Sequence, residues 1–156
     1  LLGIFCLTIS CSNSTKKNNN IQNPSVVSSE SPIMTFDKNV HDFGTINEGE
    51  TVSTLFKFTN TGKSDLIVVD ARGSCGCTVP EYPKNVPIPP GGSGELLVSF
   101  NSSGNPNMQQ KTVTISANTD SGRETVRIMA MVTPDPVRQK ARDAQQAARL
   151  QQQSNN

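Results

Sequence analysis

Tryptophan is absent from the 156 residues, and tyrosine and histidine occur once each. Without tryptophan the chain lacks the Cys…Trp…Cys core of antibody-type domains. With His41 as the sole imidazole, a nucleophilic mechanism has one base to draw on, and that base lies in a run that reads as strand or turn. Charge of one sign is also missing. The 14 basic and 13 acidic residues are interspersed, for a formal net charge of +1. This excludes the basic footprint of a nucleic-acid binder and leaves no acidic field to attract cations. There is no glycine-rich phosphate loop and no paired-carboxylate arrangement. Gly91-Gly92-Ser93-Gly94-Glu95 misses a nucleophile elbow, because its last glycine is displaced and no strand-to-helix context follows. It reads as a turn. No enzyme and no cofactor is expected.

The first thing present is a short apolar run. Leu1 to Ile9 falls well below the roughly 20 residues of a spanning helix. It has the length of a signal-peptide core, and the small Ser10 follows it. No methionine or basic segment precedes it, so the chain is expected to begin inside a signal. Thr8-Ile9-Ser10-Cys11 resembles the lipobox of bacterial lipoproteins, with Thr8 where leucine is usual. The resemblance implies a diacylglycerol thioether at Cys11. Residues 1–11 are therefore expected to be signal remnant and lipobox, with a membrane as partner through the lipid anchor. Residues 12–31 are Ser, Asn, Thr, Lys, Pro and Gln with isolated aliphatics, too polar to order themselves. They read as a flexible linker with a reach on the order of 25 Å. The expected location is the cell envelope, facing the periplasm or the cell surface.

Residues 32–133 carry short β-type runs between turn signals. Val52, Thr54, Phe56 and Phe58 alternate with polar positions, as do Leu96, Val98 and Phe100, and Val126, Ile128, Ala130 and Val132. Leu66 to Val69 is uniformly apolar, so its inward face is not legible. The five prolines from Pro80 to Pro90 exclude a central strand. About seven strands in about a hundred residues predict an all-β, antiparallel immunoglobulin-like sandwich. Its core is expected to hold Phe36, Phe43, Phe56, Phe58, Ile67 or its neighbours, Val98, Phe100, Val113, Ile115, Val126 and Ile128.

Gly73-Ser74-Cys75-Gly76-Cys77-Thr78 is the chemically distinctive stretch. In a straight strand Cys75 and Cys77 leave the same face with Cα atoms roughly 6.5–7 Å apart, at the limit of what a disulfide spans. Gly76 offers a bend that would close the ring. Three states stay open: a strained disulfide, two thiolates on a soft metal ion, or inert thiols at a kinked strand end. A zinc site would need two more ligands, with His41, Asp70, Glu81 or a second chain as candidates, none at a diagnostic spacing. Met129 and Met131 share one face of the last strand, outward if Ile128, Ala130 and Val132 face the core.

His41-Asp42-Phe43-Gly44, Phe58-Thr59-Asn60-Thr61-Gly62, Ser74-Cys75-Gly76-Cys77-Thr78 and Pro90-Gly91-Gly92 together resemble the signatures of one bacterial family. It is the domain-of-unknown-function family numbered fifteen seventy-three, common in envelope lipoproteins of Bacteroidetes. It is similar to Hydin-type and major-sperm-protein-like immunoglobulin folds. The resemblance spans roughly Ile33 to Val132. It implies an immunoglobulin-like sandwich and brings no catalytic residues. Two functions follow as expectations: an interaction domain for another envelope protein, or a thiol redox or metal-binding protein using Cys75 and Cys77. Residues 134–156 read as a polar helical or disordered tail, with Asp135 as N-cap and Pro136 in the first turn.

Overall fold

The computed structural model describes residues 30–154; the lipobox, Cys11 and most of the linker lie outside them. Eight strands and one helix follow in order: β1 (Met34–Phe36), β2 (Val40–Asn47), β3 (Thr51–Asn60), β4 (Val68–Gly73), β5 (Thr78–Glu81), β6 (Ser93–Asn101), β7 (Asn107–Ala117), β8 (Arg123–Thr133) and α1 (Pro136–Ser154). They form two four-stranded sheets, ordered β1-β3-β6-β5 and β2-β8-β7-β4. The architecture is the predicted all-β immunoglobulin-like sandwich, with one strand more than the turn spacing suggested.

The alternating positions meet between the sheets, as a period of two demands. Phe56, Phe58, Leu96, Val98 and Phe100 from one sheet face Val113, Ile115, Val126, Ile128 and Val132 from the other, each no more than 2% exposed. Phe36 and Phe43 pack against this core from its margin. Ile67 does not belong to it. Its neighbours Leu66 and Val68 are buried, while Val69 is 50% exposed. The ladder to β7 shifts between Val68 and Asp70. This bulge restores the inward phase at Ala71, which is why an unbroken apolar run could not show its face.

One feature of the pairing departs from the expectation. The pairing is not wholly antiparallel, since β2 runs parallel to β8. The chain opens in one sheet as β1 and crosses to the other at residues 37–39. Asp37 N–H donates to the Lys57 carbonyl and Arg127 N–H to that of Asn39, so the crossing segment is held by both sheets. The proline-rich region does contribute a strand, and as its prolines require it is not a central one. Pro80 lies in β5, but β5 is an edge, where the missing N–H costs no ladder bond.

Candidate functional site

Of the sequence-singled residues, Cys75 and Cys77 are the ones with distinct covalent chemistry. Their sulfurs are joined, with Cα atoms 5.2 Å apart. The segment leaves β4 in a bend and re-enters at β5, so the straight-strand separation does not apply. Gly76 is not the residue that makes the bend possible. It adopts no positive φ, and a Cβ there would meet open space. Gly73 is the constrained glycine: a Cβ on it would overlap the Thr78 carbonyl oxygen and stand 2.8 Å from Thr78 Cβ. The close approach folds Thr78 back over the end of β4. Ser74 N–H donates to the Thr112 carbonyl at 2.8 Å, Thr78 N–H to Cys75 at 3.2 Å, and Asn101 N–H to Cys77 at 2.9 Å. Thr78 Oγ1 lies 3.6 Å from Cys75 Sγ and 3.9 Å from Cys77 Sγ. Both cysteines are half-buried.

The candidates for completing a zinc site at these sulfurs do not converge on them. His41 is on β2, at the opposite edge of the sheet from β4, three strand spacings or roughly 14 Å away. Asp70 pairs with Arg72 and accepts from the Tyr82 hydroxyl at 3.4 Å. Among the described residues no three His, Cys, Asp or Glu side chains cluster to hold a metal. The bonded sulfurs also offer no thiolate.

His41 has a structural neighbourhood. Its ring meets Phe43 edge-on at 4.6 Å, and Lys38 Nζ lies 3.2 Å from its Nδ1. Burial and then the Lys38 charge lower its pKa, with Asp42 opposing. Asp42 Oδ1 accepts the Gly44 N–H at 2.8 Å. Gly44 has φ 69°, in the left-handed region, and it sits in the register shift of β2 between Asp42 and Thr45. The His-Asp-Phe-Gly run thus builds a bulge.

Asn60, fully buried, is the hub of the second motif. Its Oδ1 accepts from the Ile33 and Gly62 N–H groups at 3.3 and 3.0 Å. Its Nδ2 donates to the Ser64 and Ile88 carbonyls at 2.7 and 2.9 Å. At the fourth motif, Asn60 N–H donates to the Gly92 carbonyl, and Gly91 N–H to that of Asn60. Ser93 lies on β6 beside Thr59, hydroxyl to hydroxyl at 3.2 Å, within a sheet rather than an elbow.

Sequence reasoning missed Glu48. This carboxylate, in the turn after β2, has no exposed side-chain surface. Arg142 on α1 reaches it with two parallel bonds, 2.7 Å to Oε1 and 2.9 Å to Oε2. The Gly104 and Asp135 N–H groups also donate to it, at 3.2 and 3.0 Å. The Arg142 guanidinium, reinforced by these N–H groups, lowers its pKa from the ordinary 4.5 to about 2. The pair fixes the start of α1, which opens on the expected cap: Arg138 N–H donates to Asp135 Oδ1 at 2.9 Å. No residue of α1 is buried. Among the described residues no helix is long and apolar enough to cross a membrane.

Several solved structures share the fold. A protein of unknown function from Porphyromonas gingivalis W83 has a TM-score of 0.58 at 16% identity, covering 70% of this chain and 51% of that one. The present chain thus spans about half of that protein. The PapD-like domain 7 of human CEP192 aligns with TM-score 0.54 at 10% identity, over 83% of this chain and 99% of that domain. The Vibrio cholerae VesB protease aligns over 63% of this chain and 31% of its own, with TM-score 0.53 and 20% identity. At these identities the likeness is one of fold. No curated protein matches the chain. The family model described as "Protein of unknown function (DUF1573)" matches residues 34–132, and with the four motifs in the places just described, the chain belongs to that family.

Proposed function

We propose that the chain is a non-catalytic, lipid-anchored protein of the cell envelope whose sandwich binds an extended segment of another envelope protein along the outer edge of β2. The observation that carries this reading is the unequal protection of the four sheet edges. β1 has three residues, and β5 has four with Pro80 among them. The edge of β4 is covered by the connection after β5, through an exchange of bonds between Leu66 and Ile88 and a bond from Asn85 N–H to the Val68 carbonyl. β2 has eight residues and, among the described residues, no outer neighbour. Folded proteins shorten, cover or interrupt edges to prevent unwanted pairing. β2 carries one bulge at Gly44, but the stretches on either side of it, 40–42 and 45–47, stay open. An edge less protected than the other three supports strand addition, in which backbone bonds supply affinity and alternate side chains supply specificity. The lipobox-like run ending at Cys11 and the polar linker support the anchor.

A photocrosslinker placed at Val40 or Thr45, and for comparison at Val79 on β5, tests the binding edge in intact envelopes. A discrete product is expected at both β2 positions and not at Val79. Products that are equal at all three positions, confined to Val79 or absent would overturn the β2 assignment. Fatty-acid labelling of wild type and Cys11→Ala, in a host that processes lipoproteins, tests the anchor separately. Equal labelling of the two removes it.

A further inference from the structure

Three of the four methionines lie together on the outer face of the β2-β8-β7-β4 sheet, where core packing gives no reason for them. Met108 on β7 is the register partner of Met131 on β8. Met129 is two residues from Met131 on the same face, since Ile128, Ala130 and Val132 turn inward. Met108 and Met131 are 62% and 42% exposed, and Met129 is half-buried. The fourth, Met34, is in the core. The positions that continue this face are polar: Gln110, Thr112 and Thr114 on β7, Thr125 and Arg127 on β8.

From these placements we infer that Met108, Met129 and Met131 form a binding site for a soft monovalent cation, Cu(I) or Ag(I). Register partners on adjacent strands have Cα atoms roughly 4.5–5.5 Å apart, and residues i and i+2 on one strand roughly 6.5–7 Å. Three sulfurs around one ion at a metal–sulfur distance of about 2.3 Å stand roughly 4 Å from one another. The three rotatable bonds of each methionine close that difference without moving the backbone. Thioethers are soft ligands that select Cu(I) over zinc, calcium or magnesium. They are also neutral at every ordinary pH, so no proton competes for them. Beside them Asp42, the register partner of Met129 on β2, supplies a negative charge. Arg127 is on the side of Met129 away from Met131. Its guanidinium is engaged with the Gln110 amide oxygen, at 3.0 and 3.2 Å with that amide turned to accept, and so sits beside the sulfurs without standing between them.

Ag(I) is the cleaner probe, since it needs no reductant and leaves the Cys75–Cys77 bridge intact. The full chain in a Cys6→Ser, Cys11→Ser background, titrated with silver nitrate in chloride-free buffer, should take up one equivalent. The methyl resonances of Met108, Met129 and Met131 should shift and that of Met34 should not. Affinity should be flat between about pH 5 and 8, because metal binding depends on pH through ligand deprotonation and thioethers have no proton to lose. Replacing any one of the three by leucine should weaken binding about 10–100-fold or more, since even outer-sphere losses reach that range. Absence of uptake, uptake that survives Met108→Leu/Met129→Leu/Met131→Leu, or affinity that falls as His41 protonates would overturn the site.

Discussion

Phe58 and Gly94 face each other across β3 and β6, and the Phe58 ring occupies the space a side chain at position 94 would need. A Cβ on Gly94 would overlap Cζ of that ring, and would stand 2.7 Å from its Cε2 and 3.0 Å from Ile88 Cδ1. The ring has nowhere to go, being 1% exposed and held edge-on to Phe36 at 5.6 Å. Two effects of Gly94→Ala oppose each other. Removing glycine from a strand stabilises by about 0.4–1 kcal/mol where the backbone allows it. Overpacking a filled core costs about 1–3 kcal/mol. With overlap against a buried ring, overpacking wins, and a net loss of about 1–2 kcal/mol is expected. Phe58→Ala makes the opposite error and should cost about 3–5 kcal/mol. In the double variant the new methyl enters space the ring has left, so the combined loss should fall short of the sum by about 1 kcal/mol or more. Urea unfolding of the four proteins, with midpoint and slope both fitted, measures this coupling. Additivity within about 0.5 kcal/mol, or a stabilising Gly94→Ala, would refute the packing argument.

The Glu48–Arg142 pair makes the seat of α1 sensitive to acid. The folded pKa of Glu48, about 2, lies below its ordinary 4.5, so the contribution is complete above about 4.5 and is lost as pH falls through about 2. Amide protection over Arg138–Arg142, taken relative to the intrinsic exchange rate at each pH, should fall in that window for wild type. In Arg142→Ala it should be low at every pH, and a flat wild-type protection profile from neutral pH to 2 would contradict the assignment. The Cys75–Cys77 ring closes a tiny loop, so its chain-entropy contribution is at most about 1.5 kcal/mol, against about 3 for a fifteen-residue loop. Mild reductant should therefore add two hydrogens to the mass and lower the melting temperature by less than about 10 °C. Global unfolding on reduction would mean that the backbone bonds of Ser74, Thr78 and Asn101 do not hold the bend.

Strands whose inner and outer faces differ were legible from alternation alone: β3, β6 and β8 each display their core residues at every second position. Where the ladder slips, the pattern fails. The bulge near Val69 is invisible in a run of four apolar residues, and so the inward face of β4 was unreadable. Parallel pairing of β2 leaves no trace either, since it follows from the chain changing sheets at residues 37–39 rather than from any side-chain period. The pairing of Cys75 and Cys77 depended on a bend, and the glycine that permits it is Gly73, not Gly76 between the cysteines. Glu48 was missed for a different reason. Its acidity reads as surface, and its burial depends on Arg142, 94 residues away. The one available hint was Asp135-Pro136, which placed the helix start without indicating what holds it.

The four motifs that mark the family are also the places where polar groups are already satisfied from within. Asn60 has both amide hydrogens and its oxygen engaged with backbone. Asp42 bonds the bulge it helps create, and the Gly91-Gly92 turn bonds the backbone of Asn60. Groups so occupied build a fold but have little capacity left for a ligand. A shared signature then predicts the sandwich without predicting a partner. Among the described residues, what is left free lies outside the signatures: the two ends of the β2 edge at Val40 and Thr45–Asn47, the thioethers of Met108, Met129 and Met131, and the exposed length of α1 beyond Arg142. Substitutions at those positions should leave folding nearly intact while changing what the protein binds, whereas substitutions in the motifs should do the reverse.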